Sequence, residues 1–274
     1  MGERNPRLDA LRGVAILAMI VDHATVLVFG VERLAWNGRA VGRLAEPLFV
    51  VLFGYFLEHR SSDLPSRSAP GALGPSDAAT RRRPLGRRAA QILLAAAIVE
   101  PLFYGVFVHL DILATLLLVL LLHAALGRAF VLCAPLFLLA PWDPTAAWLN
   151  YPLFLVASQA AAGALLRTRG GLAASALFLL APLVEPTAAV VTPLLTLPAA
   201  AAVAYAARPA PRPGLAAPRA LVGGLAAIGR RPLVWYAAHL LLLVAVGLLA
   251  GRLGGSRYVE IMLVHTYTAV IPLF

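Results

Sequence analysis

The chain has 274 residues, 61% hydrophobic and 13% charged, with a mean hydropathy of +0.83. This composition disfavours a soluble globular domain and predicts an integral membrane protein. All 23 basic residues are arginine and stand between apolar runs, so the net charge of +10 does not indicate a nucleic-acid partner. The single cysteine, Cys133, excludes a disulfide within the chain.

The first predicted element is an apolar run that follows Arg4 and Arg7 and lasts to about Val31. A secretory signal peptide has a purely apolar centre and a small-residue cleavage site. This run instead contains Asp22 and His23 and lacks a convincing cleavage site. We therefore predict a retained first transmembrane helix.

The remaining apolar runs predict an all-α, polytopic membrane bundle. A spanning helix needs about 20 apolar residues, and somewhat fewer where it is buried among other helices. On this basis we predict about ten spans and leave nine or eleven open, because the fifth and seventh runs are short and compatible with re-entrant segments. The predicted spans are roughly 10–31, 42–58, 89–108, 110–126, 129–141, 151–166, 171–185, 188–206, 233–251 and 257–274.

The distribution of arginines predicts the orientation of the bundle. With the amino terminus inside, most arginines fall on cytoplasmic connections, which favours cytoplasmic termini and a multi-pass protein of the plasma or inner membrane. We treat 1–274 as a single membrane domain. Within it, 61–88 is predicted to be a flexible cytoplasmic loop, and 208–219 a proline-rich cytoplasmic linker before the last two helices.

Ionisable residues inside the predicted spans are candidates for function, because a charged side chain is costly in lipid. They come from several helices that are distant along the chain. The set comprises Asp9, Arg12, Asp22, His23, Glu46, Glu100, Asp111, His123 and His239.

Arg12 and His23 lie on nearly the same face of the first helix. Ten residues separate them, which on an α-helix gives about 20° of angular offset and roughly 16 Å of rise. Arg12 is open to two interpretations: a snorkelling anchor paired with Asp9, or a functional cation. His23 lies deeper, and a histidine that titrates near neutrality favours a polar cavity over simple packing.

Several other residues have structural explanations. Glu46 precedes Pro47 and is open to two interpretations. It could stand at an outer helix start, where the helix dipole favours a carboxylate, or it could have a functional role. We expect His123 and His265 to be buried or interfacial, and Trp36 and Trp142 to belong to an interfacial belt. The sequence has no metal-binding cluster or phosphate-binding glycine loop, so no metal is predicted.

The first helix resembles a known element. The run from Leu8 through Arg12 to His23 resembles the first helix of the transmembrane acyltransferase superfamily. In its family-3 branch an arginine and a histidine with ten residues between them mark this helix. Trp36-Asn37-Gly38, followed by 46–54, resembles the Trp-Asn-Gly loop and Pro-x-Phe-x-Phe-x-x-Gly helix of the heparan-α-glucosaminide N-acetyltransferase branch.

Further similarities follow along the chain. The runs 42–49 and 99–103 resemble the F-pilin acetylase family, and His109-Leu-Asp111-Ile-Leu resembles an Asp-Ile/Val-Leu element of bacterial relatives. The run 229–239 resembles a late Gly-x-x-Pro/Ser-Leu-x-x-Tyr-x-x-His helix. One position departs: Arg33 stands where the heparan-modifying branch has a histidine implicated in catalysis. We therefore assign that role to His23.

The resemblance implies transfer of an acyl group, usually acetyl, from cytoplasmic acyl-CoA to a hydroxyl or amine at the outer side. The acceptor would be a glycan, a lipid or another envelope molecule. His23 would be the base or nucleophile, oriented by Glu46, Glu100 or Asp111. The predicted catalytic residues are His23, Glu100, Asp111 and His239; the predicted acyl-CoA contacts are Arg12, Asp9, Arg230 and Arg231, with Arg87 and Arg88 as further candidates.

The expected partners are membrane lipid, the small-molecule acyl donor, the glycan or lipid acceptor, and a second copy in a homodimer. Two other functions compete with acyl transfer. A multi-pass transporter or flippase without covalent chemistry would use the buried charges to line a pathway. A scaffold protein would leave those charges unexplained.

Overall fold

The computed structural model describes residues 5–24, 37–62, 75–107, 109–168, 171–184, 191–208 and 219–249. Within these ranges the protein is helical, and its extended pairing is an isolated parallel bridge between Leu110 and Leu149. The predicted all-α class is therefore confirmed for the described residues.

The helices follow the order of the predicted spans. The α-helices are α1 Pro6–Ala24, α2 Asn37–Ser62, α3 Pro75–Phe107, α4 Ile112–Leu126, α5 Leu153–Leu165, α6 Gly171–Ala176, α7 Ala181–Val184, α8 Val191–Ala207, α9 Arg219–Gly229 and α10 Pro232–Leu249. The 3₁₀ helices are η1 Gly127–Trp142, η2 Pro144–Ala147 and η3 Leu177–Leu180. The tenth predicted span, 257–274, lies outside the described residues.

One helical stretch in the described ranges, Ile112–Trp142, is long and apolar enough to cross a membrane. Gly127, with φ of 54°, divides it into α4 and η1, which contact each other. Large apolar side chains are also exposed outside this stretch, including Leu94 (66%), Leu183 (81%) and Leu242 (63%). Such a surface fits contact with lipid. The number of spans and the side of each terminus stay predictions.

Helix α1 lies at the centre of the packing that forms the site. It contacts α2, α8, α9 and α10. Gly13 packs against the carbonyl of Leu225, and Gly229 packs against the carbonyl of Asp9. Because position 9 meets 229 and position 13 meets 225, α9 runs antiparallel to α1. A Cβ at either glycine would overlap backbone, so glycine permits the close approach.

Two further glycines bring α2 and α5 together. Gly54 packs against the carbonyl of Ala160, and Gly163 packs against the carbonyl of Val51. Small residues commonly allow this close approach in membrane bundles. The contact buries the middle of α2 and places Glu46 near α5.

Three predictions about local structure require correction. Helix α3 begins at Pro75, so 75–88 is helical, although we predicted a flexible loop over 61–88; residues 63–74 lie outside the described ranges. Proline suits the first helical turn, and the alanines and arginines that follow favour helix. Helix α9 was not predicted, because its 11 residues are too few to register as a span.

The interpretation of Glu46 as a helix-start residue is also wrong. Helix α2 begins at Asn37, so Glu46 lies in its interior and Pro47 stands inside the helix. Glu46 is only 7% exposed. The helix-dipole explanation for this carboxylate therefore does not apply, since that effect is confined to the first turn.

Candidate active site

The central feature of the site is a hydrogen bond between two histidines. His23, in the last turn of α1, has its Nδ1 2.8 Å from Nε2 of His239 on α10. The ring planes differ by 8° and the centroids are 5.1 Å apart. Because the centroid separation exceeds the nitrogen separation by about two ring radii, the rings lie edge to edge and nearly coplanar. This geometry is that of a hydrogen bond within the ring plane.

The direction of this hydrogen bond follows from a neighbouring carbonyl. His239 Nδ1 lies 2.9 Å from the carbonyl oxygen of Trp235, one turn earlier on α10. A carbonyl only accepts, so His239 Nδ1 carries the proton, and Nε2 of the neutral ring accepts. His23 Nδ1 therefore donates to His239, and Nε2 of neutral His23 keeps its lone pair. The tautomer that results presents a basic nitrogen at the end of α1.

A second polar cluster lies one turn earlier on α10, next to the histidine pair. The hydroxyl of Tyr236 donates to Oδ2 of Asp111. The backbone N–H of Asp111 donates to both carboxylate oxygens of Glu100, at 3.2 and 3.0 Å. The Tyr236 ring meets that of His239 edge to face, with centroids 5.6 Å apart. The cluster thus ties α3, the start of α4 and α10 together beside the histidine pair.

His23, but not His239, lines a small cavity of about 20 Å³, large enough for about one water molecule. Polar groups from α1, α2, α10 and the segment before α5 surround it. The lining residues are Met19, Asp22, His23, Gly42, Ala45, Glu46, Ile112, Tyr151 and Tyr236.

Glu46 on α2 contributes a carboxyl group to the wall of this cavity. Glu46 Oε2 lies 3.5 Å from Nε2 of Gln159 on α5, which also donates to Oγ1 of Thr196 on α8 at 3.2 Å. Oε1 of Glu46 is buried and has no hydrogen-bond partner among the described residues. The neighbouring Asp22 side chain packs against Gly42, one turn before Glu46.

The other end of α1 carries the predicted acyl-CoA contacts. Arg12 Nη1 lies 3.2 Å from Oδ1 of Asp9, and its guanidinium lies 3.7 Å from the centroid of the Phe56 ring. Gly229 packs against this turn, so the exposed Arg230 and Arg231 follow at the same end of the bundle. The predicted pairing of Arg12 with Asp9 is confirmed. Arg12, Arg230 and Arg231 together give this end of the bundle a positive charge, about 16 Å along α1 from His23.

All four predicted catalytic residues come together in the structure. His23 and His239 bond directly, whereas Asp111 and Glu100 reach them through Tyr236. We expected a carboxylate to orient His23; within the described residues, the group that does so is His239. Their catalytic roles stay predictions. His123 is 5% exposed and packs edge to face on Phe130, as expected for a buried histidine.

Sequence reasoning missed three members of the site. Tyr151 lines the cavity but lies between helices, where no periodic pattern marks it. Gln159 is an uncharged residue in an alanine-rich run, and only its position against Glu46 gives it significance. Tyr236 was visible as the residue one turn before His239, although its bond to Asp111 was not predictable. Arg33 and His265 lie outside the described residues.

Comparison with known protein families gives a match over most of the chain. The family described as heparan-alpha-glucosaminide N-acetyltransferase, catalytic, matches residues 4–241. No curated protein and no solved structure matches the chain. In the described part of the chain, no cluster of His, Cys, Asp and Glu is arranged to hold a metal ion.

Proposed function

The chain belongs to the heparan-α-glucosaminide N-acetyltransferase catalytic family, and from this premise we propose that it is a multi-pass acyltransferase of the plasma or inner membrane. It transfers an acyl group, which we take to be acetyl, from cytoplasmic acyl-CoA to a hydroxyl or amine of a glycan-like or lipid acceptor. The acceptor lies at the outer side of the membrane.

The observation that carries the proposal is the hydrogen-bonded pair of His23 and His239 at a polar cavity. Because His239 Nδ1 donates to Trp235 and His23 Nδ1 donates to His239, Nε2 of His23 carries no proton and can accept one. General-base catalysis of this kind contributes about a hundredfold to ten-thousandfold. When His23 becomes protonated, its Nδ1–H bond to His239 holds the imidazolium in the same orientation.

The reaction can be written with His23 as general base. The acceptor O–H or N–H gives its proton to His23 Nε2 while its oxygen or nitrogen bonds to the thioester carbonyl carbon. The tetrahedral intermediate then loses CoA as its thiolate, which receives the proton from His23. The products are the acylated acceptor and CoA–SH, and His23 returns to its starting tautomer.

His23 can also act as a nucleophile. Nε2 would attack the thioester carbon and the C–S bond would break. The thiolate would take the proton that the ring releases from Nδ1, which gives an acyl-imidazole and CoA–SH. The acceptor O–H or N–H would then attack the acyl carbon and return its proton to the ring. Both routes use the same lone pair. They differ in kinetics, because the covalent route releases CoA before the acceptor binds.

The basic end of α1 supports a donor site. CoA carries several phosphates, which an arginine guanidinium binds as a bidentate donor. Arg12, held by Asp9 and Phe56, lies beside the turn that carries Arg230 and Arg231. The roughly 16 Å from Arg12 to His23 suits the pantetheine arm, which would bring the thioester to the cavity.

The test is to incubate membranes containing the full chain with acetyl-CoA labelled in the acetyl group. We expect label in a glycan or lipid fraction, and loss of that label with His23→Ala. His123→Ala is the matched control, because His123 is also buried but packs on Phe130, remote from the lining of the cavity. Retention of transfer in a folded His23→Ala protein would overturn the proposal. Absence of transfer with every acceptor would favour transport.

A further inference from the structure

The cavity beside His23 has the size and the lining of a water site. Its volume of about 20 Å³ is enough for about one water molecule. A buried water needs about two to four polar partners. The polar side chains in the lining are those of Asp22, His23, Glu46, Tyr151 and Tyr236. The cavity is therefore both large enough and polar enough to hold a water molecule next to the proposed base.

The geometry of the histidine pair directs Nε2 of His23 toward this cavity. Nδ1 of His23 bonds to His239, which is not among the residues that line the cavity. In a five-membered imidazole ring, the edge opposite Nδ1 contains Nε2. Since His23 does line the cavity, this edge is the one left to meet it. A water molecule in the cavity can donate a hydrogen bond to the lone pair of Nε2.

Tyr151 offers such a water a second partner. Its backbone carbonyl accepts from Oγ1 of Thr115 at 2.7 Å, whereas its hydroxyl has no hydrogen-bond partner among the described residues. The carboxyl groups of Asp22 and Glu46, which line the cavity, interact electrostatically with this hydroxyl. The hydroxyl of Tyr151 therefore lies among the polar groups of the lining, and it can donate to a water molecule there.

We propose that the cavity binds a water molecule that replaces the acceptor when none is bound, so that the protein also hydrolyses acyl-CoA. This inference rests on the proposed function, because hydrolysis uses the same base and the same donor. The water donates one O–H to Nε2 of His23 and accepts a hydrogen bond from the hydroxyl of Tyr151. One lone pair of the water oxygen is then left for attack on the thioester.

The hydrolytic step needs no group beyond those at the site. The water oxygen bonds to the thioester carbonyl carbon while one of its protons passes to Nε2 of His23. The tetrahedral intermediate then loses CoA as its thiolate, which takes the proton from His23. The products are one carboxylic acid and CoA–SH. Tyr151 keeps its proton throughout, so it acts as a positioning residue for the water.

The experiment follows labelled acetate released from acetyl-CoA by the purified full chain in detergent, without an added acceptor. Wild-type protein should release acetate and CoA–SH in equal amounts. In water labelled with heavy oxygen, the acetate should gain one labelled oxygen atom. His23→Ala should lower the rate of release by about a hundredfold or more, because the base is removed.

Tyr151→Phe tests the bound water itself. It should lower kcat for hydrolysis by about fivefold or more, since one hydrogen bond to the water is lost. The KM for acetyl-CoA should stay the same, because the donor keeps its contacts. Thermal unfolding should also be unchanged, because the hydroxyl has no partner among the described residues. The matched control is Tyr205→Phe on the exposed surface of α8, which should leave kcat and KM at their wild-type values.

The outcomes distinguish this inference from the function on which it rests. Wild-type protein that labels a membrane acceptor, but releases no more acetate than His23→Ala does, overturns the inference alone. Equal kcat values for hydrolysis by wild type and Tyr151→Phe overturn the water site that Tyr151 forms. Wild-type protein that neither transfers the label nor releases acetate overturns the proposed function.

Discussion

His23 Nδ1 lies 2.8 Å from His239 Nε2, although 216 positions separate the two residues in the chain. Trp235 sets the direction of this bond, because its carbonyl accepts from His239 Nδ1 at 2.9 Å. The contact joins the first helix to α10 and leaves one imidazole nitrogen of His23 available. The two histidines therefore have different expected roles, one reacting and the other positioning.

The first prediction concerns these two roles. His23→Ala should lower kcat/KM for acetyl transfer by about a hundredfold or more, because it removes the base. His239→Ala should have a smaller effect, mainly on kcat, because it removes the group that selects the His23 tautomer. The effects should not add in the double variant, since both act through one nitrogen. Measurement of label transfer for all three variants checks this, and additive losses would contradict it.

The second prediction concerns the cluster behind the histidines. Tyr236→Phe should lower the free energy of unfolding by about 1–3 kcal/mol, because it removes the hydroxyl that donates to the buried Asp111. Thermal unfolding in detergent measures the change. The matched variant is Tyr236→Phe combined with Asp111→Leu, which removes both partners. If the loss arises from an unsatisfied carboxyl group, the double variant should be more stable than the sum of the single changes.

The third prediction concerns the donor site. Arg12→Ala should raise the KM for acetyl-CoA by about tenfold, because a charged hydrogen bond contributes about 1.5–3 kcal/mol. Arg12→Lys should recover part of the loss, since lysine keeps the charge but not the planar fork. Arg128→Ala, at the exposed turn between α4 and η1, is the control and should leave KM unchanged. Equal KM values for all these proteins would exclude Arg12 from the donor site.

The fourth prediction concerns the contact that buries Glu46. Gly54→Ala should destabilise the protein by about 1–3 kcal/mol, because its Cβ would overlap the carbonyl of Ala160 on α5. Gly86→Ala is the matched control on α3, where a Cβ meets nothing within 4 Å among the described residues. Since alanine favours helix over glycine, Gly86→Ala should be neutral or stabilising by up to about 1 kcal/mol. A comparison of thermal unfolding for the two variants decides the point.

Local pattern was sufficient to locate most of the helices. The apolar runs predicted α1, α2 and α4 because hydropathy and length act within one segment. The same approach failed at α9, whose 11 residues fall below the length of a span. It also failed at the start of α3, because proline and arginine over 75–88 resemble a loop until their helical context is known.

The sequence also identified the candidate residues, but it did not predict how they are arranged in the fold. His23, Glu100, Asp111 and His239 stood out because ionisable groups are rare and costly in apolar segments. Their partners did not follow from that argument. We expected a carboxylate beside His23, whereas the structure pairs it with His239 and directs Asp111 to Tyr236.

The sequence by itself determined the all-helical class, the alignment of Arg12 with His23 along α1 and the choice of Asp9, Glu46, Asp111 and His239 as ionisable groups that the fold buries. Each of these depends on residue chemistry or on the spacing within one helix. Only the tertiary structure decided which groups meet. The close approaches at Gly13 and Gly229 bring α1 and α9 together, and the one at Gly54 brings α2 and α5 together. Backbone contacts of this kind set the position of α10, which follows α9, and the burial of Glu46 on α2. Such long-range packing leaves no periodic pattern in the chain.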